Sequence, residues 1–341
     1  MRVELDDPAR LEALTESGWQ VLRKRSRNRV SRRLGAQVRE LLSLKQIVPL
    51  RDADGHKGDG SLGPPGCLVA EAENTPAEPD PGHAGEGRKL VPRCLTIAGS
   101  DSGGGAGIQA DLKAFAAAGC FGTTAIVALT AQNTLGVTAV QELPPGFVEA
   151  QLDAVFSDIG VDSAKTGMLF SRVLIETVAG FLAAHRVPLV VDPVMVASSG
   201  AKLLRDDAVE ALVGRLFPLA TVVTPNLLEA EALAGTGSRR ELAERIHELG
   251  ASAVVVTGGH GEEAIDHLFD GERHIEIEVE RHDVAATHGA GCTHSATLAA
   301  LLAKGLSLED AARGAARAAS EAVRNGLAEI GAGDGPVNVL A

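Results

Sequence analysis

The sequence predicts an α/β domain with a mostly parallel central sheet, helices on both faces and a small β-hairpin. Two observations carry this. From Arg93 onward, short β-branched runs alternate with longer alanine- and leucine-rich segments of helical spacing. The glycine-rich and polar motifs fall repeatedly where a strand ends and a helix begins, the place where such sheets gather ligands.

Taken in order, strands are expected at 94–98, 123–129, 163–165, 189–191, 221–223 and 253–256. Each is a short apolar or β-branched run, as strands buried on both faces require. Helices are expected at 108–118, 147–155, 173–184, 206–216 and 239–249, with another over 295–303. In the first of these, Ile108, Leu112 and Phe115 form the apolar stripe. The runs 264–269 and 273–279 flank Asp270-Gly271 and read as a hairpin.

The chain is expected to divide at residue 90. Residues 1–90 hold a basic cluster from Arg23 to Arg33 and then a stretch dominated by Gly, Pro, Asp, Glu and Ala. That composition cannot bury a core, so it reads as a disordered, low-complexity leader. A dispensable tail or an upstream start is the preferred explanation, and a nucleic-acid-binding or partner-binding arm is the alternative. Residues 91–341 form the folded domain. They carry 17 Lys+Arg against 31 Asp+Glu, and only four lysines (Lys113, Lys165, Lys202, Lys304). So acidic a surface disfavours nucleic acid and resembles that of proteins adapted to high salt. No apolar run approaches a membrane span and the N-terminus lacks a signal-like core, which together read as cytoplasmic. The four cysteines form no CxxC pair, so neither a disulfide framework nor a structural metal is expected.

The most informative stretch is Thr287-His288-Gly289-Ala290-Gly291-Cys292-Thr293. Two glycines before a helix leave bare N–H groups where the macrodipole favours anions. A cysteine in that first turn would have its thiolate stabilised by the same field. The first strand runs into a loop from Ala98 to Gly107 with five glycines, which is neither a dinucleotide fingerprint nor a P-loop. Asp111 falls on the inward face of the following helix, where its carboxylate needs either a structural partner or a ligand amino group. Gln132 follows the second strand and suits either a heterocycle edge or loop backbone. Met168 follows the third and reads as core or as a rim contact. Asp192 follows the fourth. Asn226 and Glu229, three apart at a helix start, form either a capping box or, with Asp192, oxygen ligands for Mg²⁺ and phosphates. Thr257-Gly258-Gly259 ends the last parallel strand, either as a nucleotide turn or as a plain strand exit.

From residue 93 to about 338, in the same order, these motifs resemble those of the hydroxymethylpyrimidine/phosphomethylpyrimidine kinases, a ribokinase-like family of thiamine biosynthesis. The specific pieces are AGSDSGGGAGIQADLK (98–113), AQNTLG (131–136), VVDPVM (190–195), TPNLLEA (224–230) and THGAGCT (287–293), with GDGPVN (333–338) similar to the family's terminus. The resemblance implies a three-layer α/β/α sandwich, a homodimer, and two successive ATP-dependent phosphorylations of 4-amino-5-hydroxymethyl-2-methylpyrimidine. It implies that Gly99, Asp111, Gln132 and Met168 bind the pyrimidine, Asp111 at its amino edge. Cys292 would act as base, and the amides of Gly289, Ala290 and Gly291 would hold the transferring phosphoryl group. Asn226, Glu229, Thr257, Gly258 and Gly259 would contact ATP, and Asp192 and Glu229 would organise Mg²⁺. Many relatives carry a lysine at the position of Thr257, so this chain lacks one cation near the phosphates. Pyridoxal kinase, on the same fold, is the alternative, since its substrate also presents a hydroxymethyl group on a heteroaromatic ring.

Overall fold

A computed structural model describes residues 90–341 apart from 197–199, 201–202, 206 and 260–263, so the expectations for the leader lie outside the described residues. The first strand, β1 (Arg93–Asp101), lies third from one edge of a nine-stranded sheet. With β2 (Phe121–Asn133), β3 (Gly136–Glu142), β4 (Ser163–Thr166), β5 (Leu189–Val191), β6 (Val222–Val223), β7 (Val254–Val256), β8 (Ile265–Phe269) and β9 (His274–Glu278), the order is β3-β2-β1-β4-β5-β6-β7-β8-β9. Neighbours from β2 across to β7 pair in parallel. β3 closes one edge antiparallel to β2, and the expected hairpin β8–β9 closes the other.

β5, β6 and β7 are short and wholly apolar, as strands buried on both faces require. β1 and β2 are longer than the sequence suggests, reaching Asp101 and Asn133. A shift in register between Ala98 and Ser100 re-aims the end of β1. β3 was not expected. Its residues are half-exposed and carry no strong apolar run, and the turn before it is closed by Asn133 Oδ1, which accepts from the amides of Leu135 and Gly136.

The helices are α1 (Gly107–Ala117), α2 (Pro145–Ala154), α3 (Arg172–Ala184), α4 (Ala208–Ala211), α5 (Leu227–Ala234), α6 (Arg239–Glu248), α7 (Ala290–Ala303) and α8 (Leu308–Arg324). One core lies where α2, α3 and α6 press Leu152, Ile175 and Leu242 toward Ile97 and Val127 of the sheet. The other face is covered by α1, α7 and α8 through Phe115, Ala296, Ala299, Ala312 and Ala315. α8 is absent from the sequence reading because its buried stripe is alanine, which registers weakly as apolar yet lets two helices approach closely.

Candidate active site

The carboxyl ends of the parallel strands and the starts of α1 and α7 converge. α3, α5, α6 and α8 each begin with a side chain that caps a backbone amide. α1 and α7 have none, so their first-turn amides are left to other partners. Both start on left-handed glycines that sequence places there for a reason. Gly107 has φ +56, and a Cβ would come within 2.4 Å of Gly99 O. Gly289 has φ +89, and a Cβ would come within 1.9 Å of Gly105 O. The glycine-rich loop and the cysteine-bearing turn are thus pressed backbone against backbone. Within that turn the Ala290 amide donates to Thr287 O at 3.1 Å. Its expected role on a phosphoryl group is therefore contested by the turn itself, which leaves Gly289 and Gly291 as the better candidates.

Beneath the turn lies a buried charged cluster. Lys165 Nζ, at the end of β4, is 2.9 Å from Asp111 Oδ1 and 3.5 Å from Asp192 Oδ2, with no exposure at all. Thr96 Oγ1 donates to Asp111 Oδ2 at 2.6 Å, and Ser295 Oγ donates to Asp192 Oδ2 at 2.8 Å. Asp111 is fully buried and both of its oxygens are occupied, so it does not meet a ligand amino group. Of the two uses open to its inward carboxylate, the structural one applies. Burial opposes the lysine's charge, but Asp111, Cys292 and Asp192 together hold Lys165 above the ordinary lysine range. Burial likewise raises the Asp111 carboxyl, with Lys165 and Thr96 pulling it back.

Cys292 occupies the first turn of α7, over this cluster. Burial above all, then Asp111 and Asp192, push its thiol up to about 12, against the pull of Lys165 and of the Gly107 amide. Cys292 is itself half-exposed, so desolvation of its sulfur is set against the helix-end field expected to favour the thiolate.

On the far side of Asp192, Asn226 and Glu229 form a complete capping box. Asn226 Oδ1 accepts from the Glu229 amide at 3.0 Å, and Glu229 Oε2 accepts from the Asn226 amide at 3.0 Å. Glu229 Oε1 also faces the Met195 amide at 3.4 Å. Burial first, and Asp192 second, push the Glu229 carboxyl up to about 8. Asp192 and Glu229, close enough for the first to raise the second, suit a hard cation that would relieve their repulsion. No group of three or more His, Cys, Asp or Glu side chains with metal-binding geometry exists among the described residues. The pair therefore fits an ion such as Mg²⁺ that keeps waters and takes phosphate oxygens. Thr257 is held against this box, its amide donating to Pro225 O at 2.9 Å. Gly258 is needed for packing, since a Cβ would lie 2.6 Å from the Ile265 backbone, and its amide is taken by Asp266 Oδ1 at 2.6 Å. A nucleotide contact through that amide is not open to it. Gly259 is exposed, with open space around it.

Sequence reasoning missed Asp101 and His288. Asp101, 4% exposed, accepts from the amides of Gly103 at 2.7 Å, Gly105 at 3.1 Å and Ala106 at 2.8 Å. It also takes His288 Nε2 at 3.1 Å. Burial raises its carboxyl, but His288 and the amides outweigh that and hold it below the usual range. An aspartate two residues before a glycine run is an Asx-turn signal that could have revealed this anchor. Gln132 Nε2 lies 3.5 Å from His288 Nε2, and Thr130 Oγ1 lies 3.2 Å from Gln132 Oε1. Gln132, Asn133, Thr134, Leu135, His288, Gly333 and Asp334 line a cleft of about 220 Å³. Gly99 and Met168 touch each other instead, a Cβ on Gly99 meeting Met168 Cε at 2.2 Å, and Met168 belongs largely to the core.

A mostly parallel sheet with helices on both faces, and two helix starts without side-chain caps at its carboxyl edge, is the arrangement of the ribokinase-like small-molecule kinases. Residues 101–338 match the family model described as phosphomethylpyrimidine kinase. The chain is 51% identical over 254 residues to the hydroxymethylpyrimidine/phosphomethylpyrimidine kinase of Rhizobium meliloti, covering 72% of this chain and 95% of that protein. It is 50% identical over 253 residues to the thiamine biosynthesis bifunctional protein ThiED of Geobacter sulfurreducens, covering 72% of this chain but only 51% of that longer protein. Bacillus subtilis pyridoxal kinase, solved as an ADP complex, superposes with a TM-score of 0.68 at 39% identity, over 73% of this chain and 97% of that one. The chain belongs to the phosphomethylpyrimidine kinase family.

Proposed function

We propose that this protein transfers the γ-phosphoryl group of ATP to 4-amino-5-hydroxymethyl-2-methylpyrimidine and then, from a second ATP, to the resulting monophosphate. The observation that carries the reading is the meeting of two uncapped, glycine-started helices at Cys292, over a buried lysine. Phosphoryl transfer proceeds through a loose transition state, so positioning and charge neutralisation contribute most. Gly289 and Gly291 would present amides to the transferring group, and Lys165 would supply fixed positive charge below it. Gln132 would read the ring edge, with Gly99 and Met168 behind the ring. Asp192 and Glu229 would hold Mg²⁺, with Asn226 and Thr257 beside the nucleotide; the ion would neutralise phosphate charge. Cys292, whose thiol is protonated at neutral pH, would take the proton of the acceptor hydroxyl only in its minor thiolate form.

The enzyme would work in the cytoplasm, as a homodimer. No described helix is long and apolar enough to cross a membrane. A pyridoxal kinase activity is the second reading, favoured by the likeness to the Bacillus subtilis enzyme. Turnover of ATP with each acceptor separates them: preference for the pyrimidine and its monophosphate supports the first, and preference for pyridoxal overturns it.

A further inference from the structure

The segment Gly333-Asp334-Gly335-Pro336-Val337-Asn338 lies across the cysteine-bearing turn. Thr287 donates twice to Asp334, from its amide to Oδ1 at 2.8 Å and from Oγ1 to Oδ2 at 3.0 Å. The His288 amide donates to Gly335 O at 3.2 Å, and the Val337 amide donates back to His288 O at 3.0 Å. On its other side the Gly333 amide donates to Thr134 Oγ1 at 3.2 Å, and a Cβ on Gly333 would lie 2.0 Å from Thr134 O. Thr134 is two residues beyond Gln132. One segment therefore grips the residue that precedes the phosphoryl cradle and the loop that carries the proposed ring reader.

The turn needs such a brace. Its pivot, Gly289, is left-handed and caps α7 with no side chain, and its internal bond runs from the Ala290 amide to Thr287 O. Whatever fixes Thr287 fixes that carbonyl and the direction of the amides after it. We propose that Asp334 is a positioning residue for phosphoryl transfer, holding Thr287 so that the Gly289 and Gly291 amides keep their aim. The inference rests on the kinase reading of the same site.

Asp334→Ala in the full chain is expected to lower kcat about tenfold or more, with the KM for ATP and for the acceptor changed by less than about threefold. Asp334→Asn, which keeps an acceptor for the Thr287 amide, is expected to recover most of that loss. Thr287→Val combined with Asp334→Ala is expected to be no slower than about twofold below Asp334→Ala alone, because the two changes remove one interaction. Hydrogen exchange at the amides of residues 289–292 should quicken in Asp334→Ala while β4 stays protected. A kcat within twofold of the parent, an asparagine variant as slow as the alanine one, multiplicative effects in the double variant, or unchanged exchange would each overturn the proposal. A parent that phosphorylates neither the pyrimidine nor pyridoxal overturns the proposed function instead, and the exchange comparison still decides the role of Asp334.

Discussion

Lys165 shows what a single residue does here and why sequence alone could not say so. The sequence places a lysine at a strand end, but only the fold reveals that Asp111 and Asp192 reach it from α1 and β5. Removing it strands two buried carboxylates. Lys165→Met is expected to cost about 3–5 kcal/mol of stability, the penalty for an unpaired buried charge, with Asp111→Asn partly restoring it. Denaturant unfolding of the three proteins checks this. The place of Cys292 at a helix start was legible, but its protonation was not, because burial depends on neighbours distant in sequence. With the thiol raised to about 12, thiolate becomes more abundant as pH rises toward that value, so the first phosphorylation should quicken through the alkaline range. The second acceptor is already an anion and needs no base. Cys292→Ala is therefore expected to abolish the alkaline rise and to impair the first step far more than the second; equal losses would contradict that role. Asp101 carries the opposite sign. Its folded carboxyl is held low, so its contribution to stability is present above the ordinary aspartate range and lost as pH falls below it. Asp101→Asn should flatten the acid limb of the stability profile, measured as Tm against pH.

At the scale of elements, the glycine-bearing junctions were the most readable part of the sequence. Gly107 and Gly289 stand where left-handed backbone and close approach coincide, and composition alone flagged both loops. Gly289→Ala should eliminate turnover, since its Cβ would occupy the place of Gly105 O. α8 and β3 were not readable: an alanine stripe and a half-exposed edge strand both lack the apolar contrast that periodicity needs. The Asn226–Glu229 box was readable as two things at once, and the structure realises the cap while leaving Glu229 beside Asp192. Thr257, beside that box, is the position at which the family resemblance implies a lysine. Thr257→Lys should lower the KM for ATP about three- to tenfold, the gain expected of one charge near phosphates; an unchanged KM would place that position away from the nucleotide.

For the whole molecule, the acidic balance of residues 91–341 implies self-repulsion that salt relieves. The Tm should rise between dilute buffer and multimolar salt, and a constant Tm would refute the adaptation. The mostly parallel sheet and the two helical layers followed from the alternation of short apolar runs with helical segments, and the edge hairpin from the two runs flanking Asp270-Gly271. What the sequence could not convey was how distant segments meet: the segment 333–338 on the GAGC turn, Asp101 on His288, and Lys165 between two carboxylates. The most direct test of the central claim is ATP turnover by the purified protein with hydroxymethylpyrimidine, its monophosphate and pyridoxal, assayed side by side. The expected result is phosphorylation of the first two with kcat/KM well above that for pyridoxal. A protein that turned over pyridoxal best, or none of the three, would contradict it.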